Sequence, residues 1–319
     1  MTEHAAPRPA LPATPIIAGV LCNPAGGRIR RQAQLVRASL QSLPGAVYRE
    51  ALTGQEIRDA LRQCLDAGVN LLILAGGDGT VHCALSELYR YRPGAAPLLA
   101  VIPGGTTNMT ALDLGLAGKP LARISLLATA LARPDAMGFT TRPALLISHG
   151  QELRLAGMFF GCGLIAQGVK YFNCRVRRLG VTHEISGGMV MLAYLLRLLL
   201  WPSALPALRL TLGDSGKMHD CLAAFSTTLE RLLLGVRPYR CRQQDSLRFT
   251  IIDNNMKSVW ATLAALLSGN GGRESQDNPD RLELMFDGDF IVDGELYQAR
   301  HRDGPVIISR SAPLRFLKF

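Results

Sequence analysis

Aromatic residues are scarce, only 6% of the 319 residues, and the seven cysteines contain no C-x-x-C pair. Few aromatics leave little material for the stacking platforms that grip single-stranded nucleic acid, and no nucleic-acid recognition motif is present. The cysteines (Cys22, Cys64, Cys83, Cys162, Cys174, Cys221 and Cys241) are scattered and odd in number. They form neither a disulfide framework nor a zinc-ligand pattern, and they read as reduced thiols of a cytoplasmic protein. The opening segment, MTEHAAPRPALPATP, lacks a basic-then-apolar signal architecture, and its Ala/Pro content predicts an unstructured tail over residues 1–14. The longest apolar run, MVMLAYLLRLLLW at 189–201, is interrupted by Arg197 and is shorter than the roughly 20 residues of a bilayer span. Two nucleotide fingerprints are missing as well. GDSGKM does not fit G-x-x-x-x-G-K-[ST], and GCGLIAQG at 161–168 does not fit G-x-G-x-x-G, which disfavours a Rossmann dehydrogenase.

What the chain does have is ample apolar material, 48% of its residues, and a formal charge of +10. The first is enough for a buried core, and the second favours an anionic partner: nucleotide, acidic lipid or nucleic acid. From residue 15 the sequence alternates short apolar runs with helix-spaced segments. PIIAGVLC leads through NPAGG into RIRRQAQLVRASLQSL; AVYREAL into TGQEIRDALRQCLDAG; NLLILA into GGDGTVHCALSELYR; PLLAVI into PGGTTNMTALDLGL. Near-continuously apolar strands alternating with helices predict a parallel sheet covered on both faces. Beyond Arg133-Pro134 the period drops to two, in segments such as LRLAGMFFGCG, MHDCLAAFSTTL and RLELMFDGDFIVDGELYQ, so this half is mainly β. Helices are expected around 186–200 and 257–268.

In an open α/β sheet the ligand lies beyond the carboxyl ends of the strands. Three glycine-rich or turn-rich loops fall there: NPAGG (23–27), AGGDGT (75–80) and PGGTTN (103–108). Glycine lets backbone approach a phosphate, and helix N-termini aim free N–H groups at it. NPAGG alone is equally an ordinary βα turn, whereas three glycines at the end of NLLILA exceed what a turn needs.

NPAGG, GGDGT and PGGTTN in this order, a β-rich second half and a late DGE (Asp293, Gly294, Glu295) resemble the diacylglycerol kinase catalytic-domain family. That family includes bacterial soluble lipid kinases, sphingosine kinases and ceramide kinases, with NAD kinases as distant relatives. The resemblance covers nearly the whole chain from about residue 15. It implies an α/β plus mainly-β protein: an N-terminal three-layer α/β nucleotide-binding domain (15–136, completed by 305–319) and a C-terminal β-sandwich domain for the lipid substrate (137–304). It implies ATP and Mg²⁺ as cofactors and a lipid hydroxyl as acceptor. Residue by residue, Asn23 borders the nucleotide phosphates and Thr53 contacts the nucleotide. Gly76, Gly77, Asp78, Gly79 and Thr80 form the core loop, with Gly105 and Thr106 from the third loop. Glu295 is implied as proton acceptor, with Asp293 as its partner. A structural metal would fall on Asp245 and the backbone around Arg242 and Leu247, although Ser246 replaces the glycine usual there.

The chain also departs from the family pattern. GGDGTxNE becomes GGDGT followed by Val81-His82-Cys83, and G-T-x-N-D-F becomes Thr106-Thr107-Asn108-Met109-Thr110. His82 is either a substrate ligand or a side chain hydrogen-bonded within its helix. DGE by itself is also a plain hairpin turn. Lys170, Arg175, Arg177 and Arg178 stand before the apolar stretch 189–201, which suits peripheral attachment to the anionic inner face of a membrane or, equally, a core helix beside a solvated loop. The leading expectation is therefore a lipid kinase acting on diacylglycerol or a similar lipid, with a ceramide or sphingoid lipid as the alternative. A non-catalytic nucleotide- or lipid-binding protein is the reading from another class. A homodimer is left open, and no nucleic-acid partner is expected.

Overall fold

The computed structural model describes residues 15–133, 137–171, 207–213, 216–232, 237–239, 247–268, 273–274 and 280–319. Five strands open the chain: β1 (Ala18–Cys22), β2 (Val47–Glu50), β3 (Leu71–Gly76), β4 (Leu98–Pro103) and β5 (Gly138–Arg142). The helices between them are α1 (Gly27–Arg30), α2 (Ala33–Gln41), α3 (Gly54–Asp66), α4 (Asp78–Tyr91), α5 (Met109–Asp113) and α6 (Pro120–Leu131). There follow β6 (Leu145–His149), β7 (Leu153–Gly157), β8 (Phe159–Gly163), α7 (Leu164–Tyr171), β9 (Leu208–Leu212), β10 (Met218–Thr227), β11 (Arg248–Asp253) and a helix at Met256–Ser268. The chain closes with β12 (Arg273–Glu274), β13 (Arg281–Met285), β14 (Gly288–Val292), β15 (Glu295–Ala299), β16 (Val306–Arg310) and β17 (Leu314–Lys318).

The first sheet runs β2-β1-β3-β4-β17-β5, parallel from β2 to β17 and antiparallel at β5. Strands β3 and β4 are buried along their whole length because helices cover both faces. Leu71, Ile73 and Ala75 with Leu98, Ala100 and Ile102 pack against Ile29, Val36, Leu40, Ile124 and Leu127 of α1, α2 and α6. The alternate residues Leu72, Leu74, Leu99 and Val101 pack against Ile57 and Leu61 of α3 and Val81 and Leu85 of α4. This is the three-layer domain that the sequence predicts. Its expected limits do not follow the sheets, however: β5, at 138–142, belongs to the first sheet, while β16, at 306–310, belongs to the second. Only β17 of the final segment returns to complete the first sheet.

The second domain is antiparallel, with the path β15-β14-β8-β10-β9-β13-β16-β6-β7 and β11 added to β10. The expected β-sandwich is thus one continuous hydrogen-bonded network folded over its own core. Leu145 and Ile147 of β6 share a core with Phe160 of β8 and Phe290 of β14, strands far apart along the path, and only a sheet that curls back can bring them together. LRLAGMFFGCG, one segment by its sequence pattern, breaks at Met158 into β7, the last strand of that path, and β8, third from its other end. The break is fully satisfied. Met158 N–H donates to Asp293, and Met158 C=O accepts from Thr228 N at 3.1 Å and Thr227 Oγ1 at 2.8 Å.

Candidate active site

The three glycine-rich loops meet beyond the carboxyl ends of β1, β3 and β4, and their glycines mainly let the loops touch one another. A Cβ on Gly26 would stand 2.8 Å from Gly104 O, and one on Gly105 would stand 2.6 Å from Gly77 Cα. Gly104 N donates to Gly76 O at 2.7 Å, and Arg28 N to Gly104 O at 2.9 Å. The sequence argument assigned the glycines to phosphate approach. Loop-against-loop packing is the closer physical reason for Gly26, Gly77, Gly104 and Gly105. Asn23 ties the cluster together: its Oδ1 accepts from Ala25 N at 3.0 Å and its Nδ2 donates to Thr80 Oγ1 at 3.3 Å. Thr106 is exposed beside Gly27.

Asp78, the first residue of α4, is partly buried and accepts from Met109 N at 2.9 Å and Thr110 N at 3.0 Å, so it caps α5. Burial pushes its carboxyl above the usual range, against the lowering effect of those N–H groups. Asn108, in left-handed backbone with φ 53°, closes a ring with Gly105: Oδ1 accepts from Gly105 N and Nδ2 donates to Gly105 O, both at 2.7 Å. Thr53 caps α3, its hydroxyl accepting from Glu56 N at 3.2 Å while Glu56 reaches back to Leu52 N at 2.7 Å.

The DGE segment is a hairpin turn with one carboxylate buried and one presented. Val292 pairs with Glu295, and Asp293-Gly294 between them take φ 49° and 89°, the positive values that a two-residue hairpin needs. Asp293 is 5% exposed, and its carboxylate accepts Met158 N at 3.0 Å and Phe159 N at 2.9 Å, pinning the β7–β8 break. Desolvation, and after it the charge of Asp78, pushes the Asp293 carboxyl well up. Glu295 is exposed, and its carboxylate lies over the first turn of α4, where a Cβ on Gly79 would be 2.6 Å from Oε1. Asp293 therefore holds the turn, and Glu295 is the carboxylate the cleft offers.

His82 is bonded across the domain seam rather than within its own helix. Nδ1 lies 2.9 Å from Ala156 O and Nε2 lies 2.7 Å from Tyr297 Oη. Burial drops its pKa to about 4, so the ring is neutral near pH 7. Ser86, one turn on, both donates to Ala156 O and accepts from Ala156 N. Two residues at this seam escaped the sequence reading: Tyr297, and Arg58, whose Nη1 lies 3.9 Å from Cys83 Sγ. The signal for Tyr297 was present, since residues two apart on a strand share a face and Glu295 was already singled out.

Residues 18–139 match the family model described as the diacylglycerol kinase catalytic domain. The match falls on the N-terminal domain, which is similar to that family. A 97-residue stretch is 36% identical to the "Probable lipid kinase YegS-like" of Stenotrophomonas maltophilia (strain K279a), covering 28% of this chain and 31% of that relative. The matched stretch thus spans less than a third of the relative's length. The fold likeness is wider. A solved structure of a diacylglycerol kinase from Bacillus anthracis str. Sterne superposes with TM-score 0.63 at 15% identity, over 95% of this chain and 97% of that one. A second structure from the same organism gives TM-score 0.65 at 16% identity, again over 95% and 97%.

A diacylglycerol kinase catalytic domain implies a nucleotide with a divalent metal, so the donor set matters. No group of three or more His, Cys, Asp or Glu side chains could hold a metal ion among the described residues. What is present is a partly buried Asp78 at the glycine loops, with Asp293 within electrostatic reach. One carboxylate beside a glycine-rich loop fits Mg²⁺ that arrives with phosphate oxygens, not an all-protein cage. The structural metal site expected at Asp245 and Arg242 lies outside the described residues; Leu247 is described and buried. The basic segment beyond residue 171 and the apolar stretch 189–201 also lie outside them, while Lys170 pairs with Asp289 at 2.6 Å. Among the described residues no helix is long and apolar enough to cross a membrane.

Proposed function

We propose that the protein is a lipid kinase, transferring the γ-phosphoryl group of ATP to a hydroxyl of a membrane lipid of the diacylglycerol or ceramide type. One observation carries the proposal: the Glu295 carboxylate lies against Gly79 at the start of α4, beside the point where three glycine-rich loops converge. Phosphoryl transfer asks the protein chiefly for positioning and charge stabilisation, with a carboxylate in reach of the attacking hydroxyl. Backbone N–H groups of the loops and of the α4 N-terminus face the phosphates. Asp78 would hold a Mg²⁺ that comes with the phosphates, and the ion would supply charge neutralisation on their oxygens. Glu295 takes the proton of the lipid hydroxyl as its oxygen bonds to the γ-phosphorus and ADP departs. Asp293 touches no reactant; it fixes the turn that sets Glu295 over Gly79. The charge of +10 favours an anionic lipid surface, in keeping with peripheral attachment at the cytoplasmic face of the membrane.

The test is transfer of labelled γ-phosphate from Mg-ATP to a panel of lipids in mixed micelles, comparing wild type with Glu295→Gln. A labelled phospholipid formed by wild type and lost by about 10²-fold or more in the variant supports the assignment. Nucleotide binding without labelling of any lipid would overturn it in favour of a binding protein.

A further inference from the structure

Tyr297 stands two residues beyond Glu295 on β15, and in a strand that spacing puts both side chains on one face. That face meets α4, with Glu295 over Gly79 and Tyr297 at His82, one helical turn apart. The tyrosine ring is held in place, stacked on the fully buried Phe290 with centroids 5.6 Å apart and edge-on to His82 at 5.8 Å.

The direction of its hydrogen bond follows from chemistry. A carbonyl can only accept, so at 2.9 Å from Ala156 O the His82 Nδ1 carries the proton. In a neutral imidazole the other nitrogen then has only a lone pair, and Tyr297 must donate its O–H to Nε2 across 2.7 Å. Burial keeps His82 neutral, its pKa lowered to about 4. A second donation by Tyr297 is excluded, since a phenol has one hydrogen. Its oxygen has no other hydrogen-bond partner among the described residues, and the residue is only partly buried, so toward a ligand it is an acceptor only.

We infer that Tyr297 makes the acceptor site selective for a lipid alcohol carrying a second hydrogen-bond donor beside the reacting hydroxyl. This rests on the kinase reading and narrows it. A monoacylglycerol, with a neighbouring hydroxyl, and a ceramide, with an amide N–H and a second hydroxyl, both satisfy the tyrosine oxygen. A 1,2-diacylglycerol has only ester oxygens beside its single hydroxyl, and two acceptors facing each other leave both unpaired.

The experiment measures kcat/KM of the full chain with Mg-ATP for 1-monoacylglycerol, 1,2-diacylglycerol and ceramide in mixed micelles, for wild type and Tyr297→Phe. Wild type should favour the two donor-bearing acceptors over diacylglycerol by about tenfold, the worth of one hydrogen bond. Tyr297→Phe should bring the three within about twofold, by losing activity on the donor-bearing acceptors and keeping it on diacylglycerol. Ratios within one protein do not change with the fraction folded, so a destabilised variant still reports. Equal losses on all three acceptors, or a wild type that prefers diacylglycerol, overturns the inference and leaves the kinase standing. Labelling of no acceptor overturns the kinase reading and this inference with it.

Discussion

Gly79→Ala should separate stability from turnover. Gly79 lies in the first turn of α4, and alanine is favoured over glycine in a helix by up to about 1 kcal/mol. The new methyl carbon would stand 2.6 Å from Glu295 Oε1, whereas ordinary contact begins near 3.4 Å, so the carboxylate must retreat by roughly 0.8 Å. The obstructing atom is the far end of a flexible, exposed side chain, and moving it costs the fold little. A displacement of that size at a reacting centre can cost about 10²-fold in rate. Thermal melting should therefore hold steady or rise by about 2–4 °C, while phosphoryl transfer falls by about 30- to 100-fold. Adding Gly79→Ala to Glu295→Ala should cost nothing further, because the first substitution acts only through the second residue. Turnover within about threefold of wild type, in a protein that melts normally, would refute the assignment of Glu295 as the working carboxylate.

Asp293→Ala leaves the N–H groups of Met158 and Phe159 without their acceptor and puts alanine at φ 49°; we expect about 3 kcal/mol of lost stability in urea unfolding, and a smaller loss for Asp293→Asn, which tolerates that backbone. His82 has its pKa lowered from 6.5 to about 4, so its stabilising contribution is complete above pH 6.5 and disappears as the pH falls through about 4. The stability difference between wild type and His82→Gln should shrink over that window by up to about 3 kcal/mol, a subtraction that removes the opposite trends of Asp78 and Asp293, whose raised carboxyls favour the folded state at low pH. Asp113 accepts Arg142 Nε at 2.9 Å and Arg231 N at 2.8 Å in a link between the two domains. Its side chain is fully buried, so Arg142→Met strands a carboxylate and should cost about 3 kcal/mol in urea unfolding; the Arg142 contact to the exposed Glu230 adds little.

The α/β half was legible because helix and strand periods alternate cleanly there, and the fully apolar β3 and β4 could only be strands covered on both faces. The β half was legible as period two, but its pairing was not. Nothing local in LRLAGMFFGCG marks the break at Met158, because the partners that satisfy it, Asp293 and Thr227, lie far along the chain. For the same reason Asp293 and Glu295 looked alike in sequence as an acidic pair, and a two-residue turn then buried one and exposed the other.

What the sequence determined alone was set by short-range physics: the helix cap at Thr53, the glycine that permits a DG hairpin, and the order of the three glycine-rich loops. What only the tertiary structure decided was each group's state and direction. His82 is neutral because burial disfavours its charged form, and a donor on Nδ1 because a carbonyl of the other domain faces it; Tyr297 is left with acceptor capacity only because His82 takes its hydrogen. Gly79 matters because Glu295 arrives over it from more than two hundred residues away. Burial and hydrogen-bond direction depend on neighbours brought by the chain's return, and no local pattern encodes them.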